Sequence, residues 1–208
     1  MPSEAVVHVV DDDQSVRQSL SFLLASDGLP VRLHESASSF LQDVKDASTG
    51  CIITDVRMPG IDGIEFLRRL KASGFRLPVI VMTGHADVPL AVEAMKEGAL
   101  DFIEKPFDDD LFLAAVRAAL KRQEQNAHQD AQAAEIQARA QSLSEREAQV
   151  LEGLVSGKAN KIIAYDLGIS PRTVEIYRAN VMSKMQASSL SELVRMALLI
   201  GPRTIADP

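Results

Sequence analysis

Four short runs rich in apolar residues end in groups able to handle phosphate or metal. Val6-Val7-His8-Val9-Val10 runs into Asp11-Asp12-Asp13, and Cys51-Ile52-Ile53-Thr54 runs into Asp55. Val79-Ile80-Val81-Met82 runs into Thr83, and Asp101-Phe102-Ile103-Glu104 runs into Lys105. Carboxylates crowded together repel one another unless a cation joins them. Oxygen ligands of this kind, completed by water, suit Mg²⁺. One carboxylate of such a set, Asp55, can act as a nucleophile and carry a phosphoryl group. Phosphoryl transfer depends on positioning and charge neutralisation more than on covalent machinery. On this reading Asp11, Asp12 and Asp55 hold Mg²⁺, Lys105 pairs with one phosphoryl oxygen, and Thr83 donates a hydrogen bond to another. Each residue alone has a plainer reading, since strand-end aspartates cap helices and a strand-end lysine can be a solvated charge. The expectation rests on their convergence.

Convergence requires a particular scaffold. Short apolar runs closed by turn residues, such as Pro59-Gly60 after Asp55, read as buried parallel strands. Val31 to His34 adds another. Between the strands lie helical patterns. Gln14 to about Ser26 carries Val16, Leu20, Leu23 and Leu24. A helix capped by Ser36 holds Phe40, Leu41 and Val44. Gly63 to about Ser73 carries Ile64, Leu67 and Leu70, Val88 to Glu97 follows, and a last helix from near Asp108 carries Leu111, Val116 and Leu120. Five strands alternating with five helices imply a doubly wound α/β unit with a parallel sheet. Right-handed crossovers and the size fit the flavodoxin-like order 2-1-3-4-5. Strands 1, 3, 4 and 5 are then neighbours, and ligands bind outside their carboxyl ends.

The totals fit this picture. With 208 residues the chain makes one large or two small domains, and 46% hydrophobic with 25% charged residues is ordinary for globular proteins. The net charge of −7 argues against a nucleic-acid protein until its distribution is considered. Residues 1–141 hold 14 Lys+Arg against 22 Asp+Glu, whereas residues 142–208 hold 8 against 7. Any basic patch is therefore local. The single cysteine, Cys51, lies inside an apolar run and reads as a core residue. The start Met1-Pro2-Ser3-Glu4 lacks a signal-peptide pattern, and no apolar stretch approaches the ~20 residues that span a bilayer. A soluble, cytoplasmic protein with no membrane association is expected.

Residues 123–141 are rich in Gln, Ala and Glu, without Gly or Pro, and with Ile136 as their only large aliphatic residue. This reads as a solvated helical linker, or a continuation of the preceding helix, between domains at 1–122 and 142–208. The second unit opens with a capping-box pattern, Ser144-Glu145-Arg146-Glu147. Four helices follow: one with Val150, Leu151, Leu154 and Val155, a second from Asn160 to Leu167, a third from about Pro171 to Met185, and a fourth after Ser189. Gly168-Ile169-Ser170-Pro171 makes the tight connection of a helix-turn-helix. On the third helix Val174, Val181 and Met185 can face the core, leaving Thr173, Glu175, Tyr177, Arg178 and Asn180 outward. Arg172, Arg178 and Lys184, with Lys161 on the preceding helix, form a basic face. Such cations reach phosphates or guanine edges, and Asn can read adenine. The plain alternative is a helical hairpin with ordinary surface charge.

The motifs Val9-Val10-Asp11-Asp12, Asp55-Val56-Arg57-Met58-Pro59-Gly60, Met82-Thr83-Gly84 and Lys105-Pro106-Phe107 resemble the receiver domain of two-component response regulators across residues 6–122. Leu143-Ser144-Glu145-Arg146-Glu147, Asn160-Lys161-Ile162-Ile163-Ala164 and the stretch from Ile169 to Met185 resemble the LuxR-type effector domain across 142–200. The combination is similar to the NarL/FixJ family, and the stretches at Thr83-Gly84-His85 and Phe102–Phe107 are most similar to its FixJ branch, regulators of nitrogen fixation. The resemblance implies phosphorylation on Asp55, metal ligation by Asp11 and Asp12 with the backbone carbonyl of Arg57, concerted movement of Thr83 and Phe102, and a cis Lys105-Pro106 bond. It also implies a FixL-like sensor histidine kinase as donor, a homodimer when phosphorylated, double-stranded promoter DNA as ligand and RNA polymerase as partner. Two positions depart from the commoner pattern. Phe102 stands where Tyr is usual, and Tyr177 stands where His is usual, which puts any base contact by that His in doubt.

Two other classes share some of these features. Aspartate-based phosphatases also combine an Asp nucleophile, Mg²⁺ and a lysine, but they place a second acid two residues on, where this chain has Arg57. Beyond its own phosphoryl transfer and dephosphorylation, no enzymatic activity is expected. A protein-interaction adaptor would use the C-terminal helices without needing a basic face on the third.

Overall fold

Apolar runs and amphipathic segments alternate in space as they do in the chain. The computed structural model describes residues 5–43, 49–84 and 88–201, which leaves Val44 and His85 outside. Five strands form one parallel sheet: β1 (Val6–Val10), β2 (Val31–His34), β3 (Gly50–Asp55), β4 (Val79–Thr83) and β5 (Asp101–Glu104). Their order is β2-β1-β3-β4-β5. The intervening helices are α1 (Gln14–Ser26), α2 (Ala37–Asp43), α3 (Gly63–Ala72), α4 (Val88–Glu97) and α5 (Asp109–Gln141).

The strands read as near-continuous apolar runs because the sheet is covered on both faces. Side chains alternate, so each strand feeds two cores. Val7, Val9, Cys51, Ile53, Ile80 and Met82 pack with Leu20 and Leu24 of α1 and Phe112 and Val116 of α5. Val10, Ile52, Val79 and Val81 pack with Phe40, Phe66, Leu67 and Leu70 on the other face. Burial pushes the Cys51 thiol up to about 12, which makes it an inert core group. Leu111 is exposed, and its neighbour Phe112 fills the core position that the helical pattern left open.

The chain divides into two compact units, Met1–Asn126 and Ala127–Pro208. Of the two readings of residues 123–141, a separate helical linker or a continuation of the preceding helix, the structure has the second, since they continue α5. Its last turns are not solvated all round either. Ile136 and Ala140 are buried in the core of the second unit, with Val150, Leu151, Ile163, Val174 and Val181. The remaining helices of that unit are α6 (Glu145–Val155), α7 (Asn160–Leu167), α8 (Pro171–Met185) and α9 (Leu190–Ile200). Their ends follow the local chemistry. Ser144 and Glu147 form the expected capping box of α6, and Ser170 caps α8 with Pro171 at its first turn. The turn into α8 needs a left-handed residue, which Gly168 supplies at φ 65°. No helix among the described residues is long and apolar enough to cross a membrane.

Candidate functional site

The carboxyl ends of β1 and β3 and the residue after β5 bring Asp11, Asp55 and Lys105 together. The Lys105 Nζ donates to Asp11 Oδ2 at 2.9 Å and to Asp55 Oδ1 at 2.7 Å. Asp11 is almost fully buried and Asp55 nearly so. Burial pulls the Lys105 ammonium down, but its hydrogen bonds to Asp55 and Asp11 and their charge outweigh it, so its pKa lies above the ordinary lysine value. The second oxygen of each carboxylate is held by the backbone. Arg57 N–H donates to Asp55 Oδ2 at 2.6 Å, and Asp13 N–H donates to Asp11 Oδ1 at 2.9 Å. Both carboxylates are thus held in place by backbone donors and a shared cation.

The run of three aspartates separates by role. Asp11 is drawn inward, Asp12 is exposed at the rim, and Asp13 is the N-cap of α1, accepting from Ser15 N–H at 2.7 Å. Asp12 and Arg57 line a cleft of about 680 Å³ beside the site, together with Met58, Pro59, Arg68 and Glu93. Thr83 is buried at the end of β4, and its carbonyl accepts from the Lys105 N–H at 2.7 Å. Phe102 is half-buried on β5 against the core shared by α2 and α3. The Lys105-Pro106 bond is cis. Gly63 allows α3 to begin directly under the loop. A Cβ there would lie 2.5 Å from the Asp55 carbonyl oxygen, and its own N–H donates to the Val56 carbonyl at 2.8 Å.

The oxygen donor set suits Mg²⁺, which commonly keeps several waters and takes one or two carboxylates. Asp11 and Asp55 already share one cationic partner, and Asp12 stands at the edge of the cleft. Among the described residues, no group of three or more acidic, histidine or cysteine side chains is gathered closely enough to hold a metal by itself. The residues therefore fit an ion bound largely through water, not an all-protein cage.

In the second unit, Val174, Val181 and Met185 of α8 are buried as expected. Arg172, Glu175 and Asn180 are exposed on α8, and Lys161 is exposed on α7. Three residues expected to point outward are only partly exposed. Tyr177 is half-buried and packs on the core, Thr173 is half-buried with its hydroxyl 2.8 Å from that of Ser170, and Arg178 is half-buried. Lys184 is tied down, its Nζ donating to Glu147 Oε2 at 2.6 Å and to the Ser142 carbonyl at 3.2 Å. Sequence reasoning passed over Ile176, which is 57% exposed beside Glu175 and four residues from Arg172 and Asn180. Its spacing in that polar stripe was the available signal. An exposed aliphatic group can contact a thymine methyl.

Known proteins agree with both halves. The response regulator receiver domain family matches residues 7–117, and the luxR family of bacterial regulatory proteins matches residues 141–197. The transcriptional regulatory protein FixJ of Azorhizobium caulinodans is 62% identical over 97% of this chain and 95% of its own. The crystal structure of full-length FixJ from B. japonicum covers 95% of this chain and 97% of its own at 55% identity, with a TM-score of 0.59. The response regulator StyR covers 93% and 98% at 38% identity, with a TM-score of 0.78. The chain belongs to the NarL/FixJ family of two-component response regulators, phosphorylation-dependent transcriptional regulators that join a receiver domain to a LuxR-type helix-turn-helix domain.

Proposed function

We propose that Asp55 accepts a phosphoryl group from a FixL-like sensor histidine kinase and that the modified chain dimerises, binds promoter DNA through α8 and activates transcription with RNA polymerase. The observation that carries this reading is Lys105 Nζ, 2.7 Å from Asp55 and 2.9 Å from Asp11 at the carboxyl end of the sheet. A carboxylate at that position is held for attack. Asp55 Oδ forms the new P–O bond as the P–N bond to the kinase histidine breaks, and the histidine nitrogen keeps the electron pair. Lys105 then pairs with a phosphoryl oxygen, and Thr83 donates to another as it moves with Phe102. Asp11, Asp12, Asp55 and the Arg57 carbonyl would hold Mg²⁺, which would supply positive charge beside the transferring oxygens. The chain acts on no other substrate.

Exposed Val92 and Met95 on α4 and Leu111 on α5 support a dimerising face on the receiver. Arg172, Glu175, Tyr177, Arg178 and Asn180, with Lys161 and Thr173, support a DNA-reading face on α8 and α7. The target genes are those of nitrogen fixation, and the protein works in the cytoplasm, where promoter DNA lies. The test is the intact mass after incubation with acetyl phosphate, with and without Mg²⁺, beside Asp55→Asn. One phosphoryl group that requires both Mg²⁺ and Asp55 is expected. A chain that gains none, or gains one equally well as Asp55→Asn, refutes the reading.

A further inference from the structure

The structure assigns Lys184 a positioning role: it anchors the C-terminal end of α8 to the start of α6 through Glu147 and does not contact DNA. Glu147 is the third residue of the capping box, and its side chain is 6% exposed. Its Oε2 accepts from both the Ser144 backbone N–H at 2.8 Å and the Lys184 Nζ at 2.6 Å. A carboxylate so enclosed needs its cation, because an unpaired buried charge is far costlier than an exposed one. Lys184 also donates to the Ser142 carbonyl, just ahead of the α6 cap. Two hydrogen bonds therefore engage the Lys184 ammonium on protein atoms, although its side chain is 42% exposed.

The position of this contact matters for recognition. α8 is fixed at its N-terminus by Ser170 and along its length by Val174 and Val181. At its C-terminal end Met185 is buried in the core, and the Lys184 contact lies on the outer side of that turn. Arg139 supplies a second hold there, donating to the Met185 carbonyl at 3.3 Å. A cation at a helix C-terminus is also favourable for the helix dipole. Together the two contacts hold the end of α8 against the start of α6 and the last turn of α5, and small errors of tilt misplace side chains that must meet base edges.

This inference rests on the reading of α8 as the DNA-binding helix, and the test has one arm that does not. In the intact chain, hydrogen exchange is followed over residues 171–185 for Lys184→Gln, Glu147→Gln and the double variant. Each single variant is expected to lose protection, and the double variant to lose no more than either. Unchanged protection in the singles, or additive losses in the double, overturns the clasp. The second arm measures binding of the acetyl-phosphate-treated chain to a short random-sequence duplex across a salt series. Lys184→Gln is expected to weaken binding at an unchanged salt slope, while Arg172→Gln lowers the slope by about 0.9. A slope that falls by about 0.9 for Lys184→Gln makes Lys184 a phosphate contact and overturns the proposal. Should no form bind DNA in a salt-dependent way, the DNA reading fails, and the exchange arm still decides the clasp.

Discussion

Replacing Lys105 with Met removes the side-chain cation shared by Asp11 and Asp55. The two oxygens it joins stand no further apart than the sum of its two bonds, about 5.6 Å. At that separation, and an effective dielectric of about 20, two unit charges repel by about 3 kcal/mol. Both carboxylates are largely buried, so solvent screens little of this. The backbone donors Arg57 and Asp13 remain, and they prevent the full penalty of an unpaired charge. We therefore expect Lys105→Met to lower the opening free energy of β1 and β3 by about 3 kcal/mol, an increase in exchange on the order of 100-fold. The assay is hydrogen exchange of peptides covering Val6–Val10 and Gly50–Asp55 in the intact chain at neutral pH. Lys105→Met with Asp55→Asn has one charge fewer and is expected to recover most of the loss. If Lys105→Met leaves exchange unchanged, or Asp55→Asn gives no recovery, repulsion between these carboxylates is not what Lys105 relieves.

Further predictions concern other parts of the chain. His8 is buried with its Nδ1 3.1 Å from Nε2 of His34. Burial, then His34, then Arg32 hold its pKa down to about 4 from 6.5. The unfolded chain binds the extra proton between these values, so stability falls as pH drops from about 6.5 to about 4, by about 3 kcal/mol at most, and then levels. His8→Val is expected to flatten that part of a denaturation series, and an unchanged pH slope would count against the assignment. Gly63→Ala places a Cβ 2.5 Å from the Asp55 carbonyl. It is expected to cost about 1–3 kcal/mol and to slow phosphoryl uptake from acetyl phosphate, read as the rate of mass gain. Ile176→Ala is expected to leave the melting temperature nearly unchanged, because Ile176 is exposed, while narrowing the preference for thymine-containing sites in a duplex-selection assay.

Much of the architecture was readable from local chemistry. The α1, α7 and α8 boundaries, and those of β1, β2 and β5, coincide with the expected residues because caps, turn glycines and apolar periodicity are short-range signals. The sheet order followed from size and handedness once five strands alternated with five helices. Two positions were misread. Ile136 lacks an apolar stripe around it, yet it is buried, because a single aliphatic side chain suffices where another helix supplies the rest of the core. Tyr177 was assigned outward although it stands three residues after Val174 and four before Val181, and that shared helix face packs it partly on the core.

The chain by itself determined which residue types stand at the strand ends, the parallel doubly wound sheet that gathers them, and the helix-turn-helix with its caps. All of that depends on neighbours within a few residues or on rules that apply to any alternating chain. Only the tertiary structure decided what the charges do. Lys105 lies 94 residues from Asp11 and 50 from Asp55, and Lys184 lies 37 from Glu147. Periodicity carries no information about such pairings. They are set by which element ends meet in space, and by the cost of leaving a buried carboxylate without a cation.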